Sequence, residues 1–255
     1  MFNKTMQPRA IVFDLDETLA ESKQPVSPEM GGRLALLLGR MPVAVISGGK
    51  YEILLANVAN RLPYGAWVQN LYLLPTCGAA LFENRDDAWR TVYAELLTDT
   101  DMDVIVRGIE RAIEKTGLID LSSHSYGERI EKRGSQVTLS ALGQSAPLPE
   151  KLAWDPERTK RPLLRDAIAH ELPQFGVKTG GATSFDITKP GIDKAYGVRK
   201  LSEHLSIPIS EMLYVGDALF PGGNDEVVKE TGIPTREVSN PEQTLKVIDE
   251  ILATK

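Results

Sequence analysis

In "AIVFDLDETLAE", residues 10–21, Asp14 and Asp16 follow directly on an apolar run. Side chains alternate along an extended backbone, so the two carboxylates are expected on one side, with Leu15 turned toward the core. Crowded carboxylates at the end of a buried strand are costly unless a cation, a basic partner or both join them. Three later stretches supply complementary groups. "PVAVISG", residues 42–48, ends on Ser47, whose hydroxyl and the backbone N–H groups of the glycines after it could cradle a phosphate. "PGIDKAYG" sets Lys194 at a helix start, where its ammonium and the helix N-terminus can hold one anion together. "LYVGDALFPGGND" brings Asp217 to the end of a third apolar run, then Asn224 and Asp225 on a glycine-rich loop. Carboxylates for a cation beside donors for an anion suit a phosphate site. A plainer reading stays open, in which Asp16 caps a turn and Asp14 pairs with a lysine.

The elements that must position these groups read as an α/β fold. "AIVFD" is a strand; Ser27, Pro28 and Glu29 open a helix with "GGRLALLLGR" as its body; "PVAVISG" is a strand and "YEILLANVANRL" a helix. Strands alternating with helices predict a parallel sheet, which binds ligands outside the carboxyl ends of its strands. From about residue 90 the order becomes α, β, β, α, β. "DVIVRGIERAIEKTGL" is an amphipathic helix closed by Gly117, and "ERIEKRGSQVTLSAL" is a strand pair turning at Arg133, Gly134 and Ser135. "TKRPLLRDAIAHELPQFG" follows as helix and "VKTGGATSFDIT" as strands. The α/β rhythm then returns with "KAYGVRKLSEHL", "EMLYVGD" and a last helix capped by Asn240 and Pro241. The expectation is a doubly wound, Rossmann-like core over 1–89 plus 184–255, carrying an inserted α+β unit over 90–183.

Composition narrows the partners. A net charge of -6 and a pI near 5.3 offer no basic face for nucleic acid or an anionic membrane. Cys77 is the one cysteine, so neither an intrachain disulfide nor a cysteine-based zinc site can form, which suits a reduced cytoplasm. "MFNKTMQPR" has no leader-like apolar region, and no stretch reaches the roughly eighteen apolar residues of a membrane span. His124, His170 and His204 have no metal-ligand spacing, and Trp67, Trp89 and Trp154 are scattered. The reading is a soluble, cytoplasmic protein.

"DLDET", Ser47, Lys194 and "GD...GGND" resemble the four signature motifs of the haloacid dehalogenase superfamily of phosphotransferases, and the insertion is similar to its type IIB cap. "RGSQVTLSALGQ", "GGATSFDITKPGIDKAYGVRKL" and "GDALFPGGNDE" resemble more narrowly the eukaryotic-type phosphomannomutases. The resemblance implies Asp14 as the nucleophile that becomes an aspartyl phosphate and Asp16 as general acid/base. It implies Mg²⁺ held by Asp14, the Asp16 carbonyl and Asp217, with Asp225 also at the metal site, as a ligand or fixing Lys194 or a water on the cation. Ser47, Lys194, Thr18 and Asn224 would make up the phosphate-binding set, with Thr18 also orienting the loop.

The same resemblance assigns substrate contacts to the cap. Ser184 and Asp186 match a sugar-facing pair, Arg133 matches the first cap arginine, and Lys23 replaces a core arginine. Gln144 and Lys151 stand where the family has two more arginines, and neither reproduces an arginine fork. An ordinary solvated sheet face is the alternative for Arg133, Gln144 and Lys151. The weakened arginine set makes a Mg²⁺-dependent phosphatase of a sugar phosphate or other small phosphomonoester the leading expectation. A phosphohexomutase interconverting hexose 1- and 6-phosphates is the runner-up, and a non-catalytic sugar-phosphate sensor is the third reading. A homodimer through the cap is implied by resemblance alone. Glu17, where the mutase pattern has glycine, is expected to point outward by the alternation of an extended chain.

Overall fold

The computed structural model describes residues 7–254; the leading "MFNKTM" of the segment read above as leaderless lies outside them. The chain divides into two compact units, one taking the described residues up to Ala94 and from Asp193 on, the other Glu95–Ile192. The first begins β1 (Ala10–Asp14), α1 (Pro28–Leu38), β2 (Val43–Ile46), α2 (Tyr51–Asn57), β3 (Leu71–Leu74), β4 (Ala80–Arg85) and β5 (Ala88–Ala94). The second holds α3 (Asp99–Thr116), β6 (Ile130–Lys132), β7 (Val137–Ser140), α4 (Leu148–Trp154), α5 (Lys160–Glu171), β8 (Gly176–Thr179) and β9 (Ser184–Thr188). The first resumes with α6 (Lys194–Leu205), β10 (Met212–Gly216), β11 (Thr235–Glu237) and α7 (Pro241–Ala253).

The large sheet runs β11-β10-β1-β2-β3-β4-β5, parallel from β11 to β3 and antiparallel at β4 and β5. β1 and β2 are buried along their whole length because both faces of the sheet are covered. Ile11 and Phe13 pack with Leu34, Leu38 and Ile248 of α1 and α7 on one face. Ala10 and Val12 pack with Val198 and Leu201 of α6 on the other. The helix starts follow the sequence signals. Ser27 accepts from the Met30 N–H with Pro28 at the first position, and Asn240 accepts from the Gln243 N–H with Pro241 behind it.

The inserted unit has an antiparallel sheet ordered β6-β7-β9-β8. Its apolar face carries Val137, Leu139, Phe185 and Ile187, packed with Ile105 and Ile109 of α3 and with Leu164 and Ile168 of α5. Alternation therefore places Thr138, Ser140, Ser184 and Asp186 on the opposite face. α3 opens with a reciprocal capping box between Thr98 and Asp101 and closes on Gly117 at φ 61°. The expected turn after Arg133 is present, with Gly134 at φ 75° and the Arg133 N–H donating to the Gln136 carbonyl.

Three features depart from the sequence reading. β4 and β5 form a hairpin closed by Asp86 and Asp87 at φ 53° and 58°, a turn of the type I′ kind, so the first unit continues to Ala94 rather than 89. β9 pairs with β7 on one side and β8 on the other, so Ser184–Thr188 belongs to the insertion, whose end lies at Ile192 rather than 183. The short α4 was not foreseen. No helix among the described residues is long and apolar enough to cross a membrane.

Candidate active site

Strand ends of the large sheet bring the site together. Asp14 is the last residue of β1, Ser47 follows β2, Asp217 follows β10, and Lys194 is the first residue of α6. Lys194 Nζ donates to Asp14 Oδ1 at 2.5 Å and to Asp225 Oδ1 at 2.6 Å. All three are almost wholly buried, at 2%, 5% and 0% exposure, so each charge depends on the others for compensation. Burial alone would depress the Lys194 ammonium, but Asp14 and Asp225 outweigh it and hold its pKa well above the usual lysine value. Asp14 is pushed up by burial, with Lys194 opposing and Asp225 and Asp16 adding to the rise. Tyr214 on β10 donates its hydroxyl to Asp225 Oδ1 at 2.5 Å, and the Ala218 N–H reaches Asp225 Oδ2 at 3.3 Å. A Cβ on Gly216 would lie 2.5 Å from Asp225 Oδ2, so glycine is required there.

Asp14, Asp217 and Asp225 can place one carboxylate oxygen each within 4.8 Å of one another, a group that could hold a metal ion. Against one ammonium these carboxylates leave excess negative charge. Burial first, and the Asp225 charge second, push the Asp217 carboxyl up to about 6. All-oxygen donors with surplus charge fit a hard divalent cation. Because Asp225 already accepts from Lys194, Tyr214 and Ala218, the sequence expectation that it fixes Lys194 describes it better than direct ligation.

After Asp14 the chain leaves the extended conformation, which alters the alternation argument. The Leu15 carbonyl accepts from the N–H groups of Leu19 and Ala20 at 2.9 and 3.1 Å, winding a tight turn in which Leu15 is buried. Asp16 lies beyond β1, yet its charge still acts on Asp14. Asp16 Oδ1 accepts the Lys23 N–H at 2.7 Å. The contacts of the plainer reading, a capping Asp16 and a lysine-paired Asp14, are thus both present and coexist with the cluster. Glu17 does not follow the outward expectation. It has φ 58°, accepts the Ser22 N–H on Oε1 at 3.0 Å, and its charge contributes to the rise of Asp217. For a non-glycine residue that conformation costs about 1–2 kcal/mol. Thr18 is fully buried; its carbonyl accepts the Thr244 hydroxyl at 2.7 Å, which ties the loop to α7. Lys23 is exposed at φ 62°.

Ser47 Oγ accepts the Gly49 N–H at 3.1 Å, which leaves the hydroxyl proton to donate to a phosphate oxygen. The Ser47 carbonyl accepts the Cys77 N–H, and the Gly49 carbonyl accepts the Thr76 N–H. Thr76, Cys77 and Gly78 are all left-handed, at φ 49°, 57° and 84°. A Cβ on Gly197 of α6 would stand 2.9 Å from Gly78 Cα, so glycine lets α6 lie against this turn. Asn224 is exposed and is not among the groups that meet Lys194.

The inserted unit gathers its own polar group. Arg133 Nε donates to Glu131 Oε2 at 2.8 Å and Nη2 to Gln144 Oε1 at 3.2 Å, while Lys151 Nζ donates to the Gln144 carbonyl at 3.3 Å. The side chains of Arg133 and Glu131 are only 11% and 15% exposed, unlike a solvated sheet face. Lys151 stands on α4, not on the sheet. On β9, Ser184 Oγ lies 3.3 Å from Ser140 Oγ. Asp186 Oδ1 accepts from Gln136 Nε2 at 2.6 Å and Thr138 Oγ1 at 2.8 Å.

Residues 39–254 match the family described as eukaryotic phosphomannomutase. The chain belongs to that family. Phosphomannomutase of Spinacia oleracea is 27% identical over 96% of this chain and 96% of its own. Phosphomannomutase 1 of Homo sapiens is 26% identical over 94% of this chain and 90% of its own. Among solved structures, an N-terminally truncated IMP-nucleotidase of Plasmodium falciparum superposes with a TM-score of 0.71 at 18% identity, covering 99% of this chain and 72% of that one. That likeness is one of fold, and it agrees with the haloacid dehalogenase type of core.

Tyr214 and the left-handed Glu17 are absent from the site expected on sequence grounds. Tyr214 could have been found, since a tyrosine inside a buried apolar strand needs a partner for its hydroxyl. The conformation of Glu17 had no such signal. Asp217 supports a prediction for this family member. A cation must displace the proton from Asp217, so Mg²⁺ affinity is expected to rise with pH through about 6 and then level off. A raised carboxyl pKa also means that stability present below the ordinary value near 3.8 is lost as pH rises through about 6 in metal-free protein. Asp217→Asn should stabilise the metal-free protein at pH 7 by about 1 kcal/mol, after allowance for solvent exposure, and remove stabilisation by Mg²⁺. Thermal melts of both proteins at pH 5 and 8, with and without Mg²⁺, test this; an unchanged Mg²⁺ shift in the variant would remove Asp217 from the site.

Proposed function

We propose that this chain is a phosphohexomutase, interconverting hexose 1- and 6-phosphates through a phosphorylated Asp14. The observation that carries this reading is the gathering of two cations, Arg133 and Lys151, around Gln144 in the inserted unit. A mutase must grip a second, non-reacting phosphate, and a phosphatase of monoesters has no need of one. The names of the relatives, whose matches run through the inserted unit, also weigh toward the mutase rather than the phosphatase expected from the sequence.

In this reading an Asp14 carboxylate oxygen attacks phosphorus as the bond to the sugar oxygen breaks, and Asp16 gives that oxygen its proton. The donor is the bisphosphate, which leaves as a hexose monophosphate. The free hydroxyl of a hexose 1- or 6-phosphate then takes the phosphoryl group from Asp14 while Asp16 removes that hydroxyl's proton, which regenerates Asp14 and a bisphosphate. Ser47 and Lys194 orient the phosphate oxygens, and Asp225 with Tyr214 keeps Lys194 cationic and in place. Mg²⁺ bound by Asp14, the Asp16 carbonyl and Asp217 would neutralise charge between the anionic nucleophile and the phosphate. Ser184 and Asp186 face the sugar, the latter held by Gln136 and Thr138.

A phosphatase remains the second reading because Glu131 already pairs with Arg133, which halves the charge available to a distal phosphate. The test supplies mannose 1-phosphate and Mg²⁺ with and without glucose 1,6-bisphosphate, following released phosphate and mannose 6-phosphate together. Formation of the 6-phosphate that depends on the activator is expected; phosphate release indifferent to it would establish the phosphatase. Lys151→Ala should raise the KM of mannose 1-phosphate and weaken activation by the bisphosphate, each about tenfold, because both present a non-reacting phosphate, and should change turnover of 4-nitrophenyl phosphate, which has none, far less. Unchanged constants for both sugar phosphates would assign Lys151 to the surface.

A further inference from the structure

Glu17 has no part in the transfer described above, yet it is fixed more firmly than a bystander needs to be. Its φ of 58° is one in which glycine rests easily and glutamate does not, and such a residue persists only where its surroundings hold it. The Glu17 N–H donates to the Ala20 carbonyl at 2.7 Å, and Glu17 Oε1 accepts the Ser22 N–H at 3.0 Å. The next N–H along, that of Lys23, donates to Asp16 Oδ1 at 2.7 Å. Lys23 is left-handed as well, at φ 62°. Two adjacent carboxylates thus hold two adjacent N–H groups, and the grip on Ser22 sets where the Lys23 N–H meets Asp16.

We infer that Glu17 is a positioning residue that acts through Ser22 and Lys23 to fix the rotamer from which Asp16 delivers its proton. The inference rests on the role proposed for Asp16. In that step the phosphorus–oxygen bond to the alcohol breaks and the electron pair goes to oxygen. The Asp16 proton joins that oxygen as Asp14 bonds to phosphorus. A sugar alcohol is a poor leaving group and needs the proton, whereas 4-nitrophenolate departs without it.

The experiment compares, in single turnovers with Mg²⁺, the second-order rate constants for phosphorylation of the enzyme by glucose 1,6-bisphosphate and by 4-nitrophenyl phosphate, for wild type, Asp16→Asn, Glu17→Ala and Glu17→Gln. Because transfer to the enzyme is followed directly, the comparison isolates departure of the alcohol. Glu17→Ala is expected to lose about tenfold or more on the sugar phosphate and to stay within about threefold on the aryl phosphate. Glu17→Gln keeps the acceptor oxygen for Ser22 and should recover most of the loss. Asp16→Asn should show the same selectivity more strongly. If Asp16→Asn lowers both substrates equally, the role of Asp16 falls and the inference falls with it. If Asp16→Asn is selective and Glu17→Ala is not, Asp16 stands and Glu17 is overturned. Equal losses for Glu17→Ala on both substrates, with a lowered melting temperature, would likewise reduce Glu17 to a structural residue.

Discussion

Lys194→Met is expected to abolish phosphoryl transfer and to destabilise the protein by about 3–5 kcal/mol, the usual cost of leaving a buried charge without its partner. Two buried carboxylates lose their common cation in this variant, because Nζ lies within 2.6 Å of both Asp14 and Asp225. The deficit should depend on pH with a definite sign. Lys194 opposes the rise that burial imposes on Asp14, so its removal lets the Asp14 pKa climb further above the ordinary carboxylate range. Protonation then relieves the buried charge as pH falls. The loss of stability should therefore be largest near pH 8 and smaller near pH 5, as read by urea unfolding at both values. Lys194→Arg is not expected to rescue activity, since a planar fork cannot stand where a single ammonium bridges two oxygens. A Lys194→Met protein as stable as wild type at pH 8 would mean that the cluster is not the buried ion network described.

The second large effect is on chemistry alone. Asp14→Asn keeps the shape of the side chain and removes the carboxylate proposed to attack phosphorus, so kcat/KM should fall on the order of 10⁴-fold or more. Lys194 keeps Asp225 as a partner, and one costly buried carboxylate is gone, so the melting temperature should move little. Mass spectrometry of the acid-quenched enzyme should find one added phosphoryl group in wild type and none in the variant. Turnover near the wild-type rate would remove Asp14 from its role as nucleophile.

How much of this could be read in the sequence follows from how each feature is encoded. Buried parallel strands appear as unbroken apolar runs, so the charged or hydroxyl residue that ends each one is conspicuous, and Asp14, Ser47 and Asp217 were found that way. Lys194 was found because a helix start has its own signal, here Asp193 accepting the Tyr196 N–H. The β4–β5 hairpin was missed because its turn is Asp-Asp rather than a glycine pair, and because β5 is largely exposed and lacks a clean alternation. The end of the insertion was placed too early because the strand at 184–188 looks alike in either unit; its pairing partners, not its composition, assign it. Alternation predicted the burial of Leu15 but misjudged Glu17, since the chain turns immediately after Asp14 and a positive φ at glutamate leaves no trace in the sequence.

The order of strands has a consequence for how the molecule is made. β1 lies between β2 and β10, and its pairing with β10 joins positions about two hundred residues apart. Asp14 likewise waits 180 positions for Lys194. On a ribosome β1 therefore emerges early with one flank unmatched, and the whole insertion must be synthesised before its second neighbour exists. Contacts so distant in sequence close slowly, and an unpaired apolar edge is prone to wrong association while it waits. The residues that would carry out the chemistry are thus among the last to find one another, and a chain truncated before Met212 would display an apolar strand with no partner on that side.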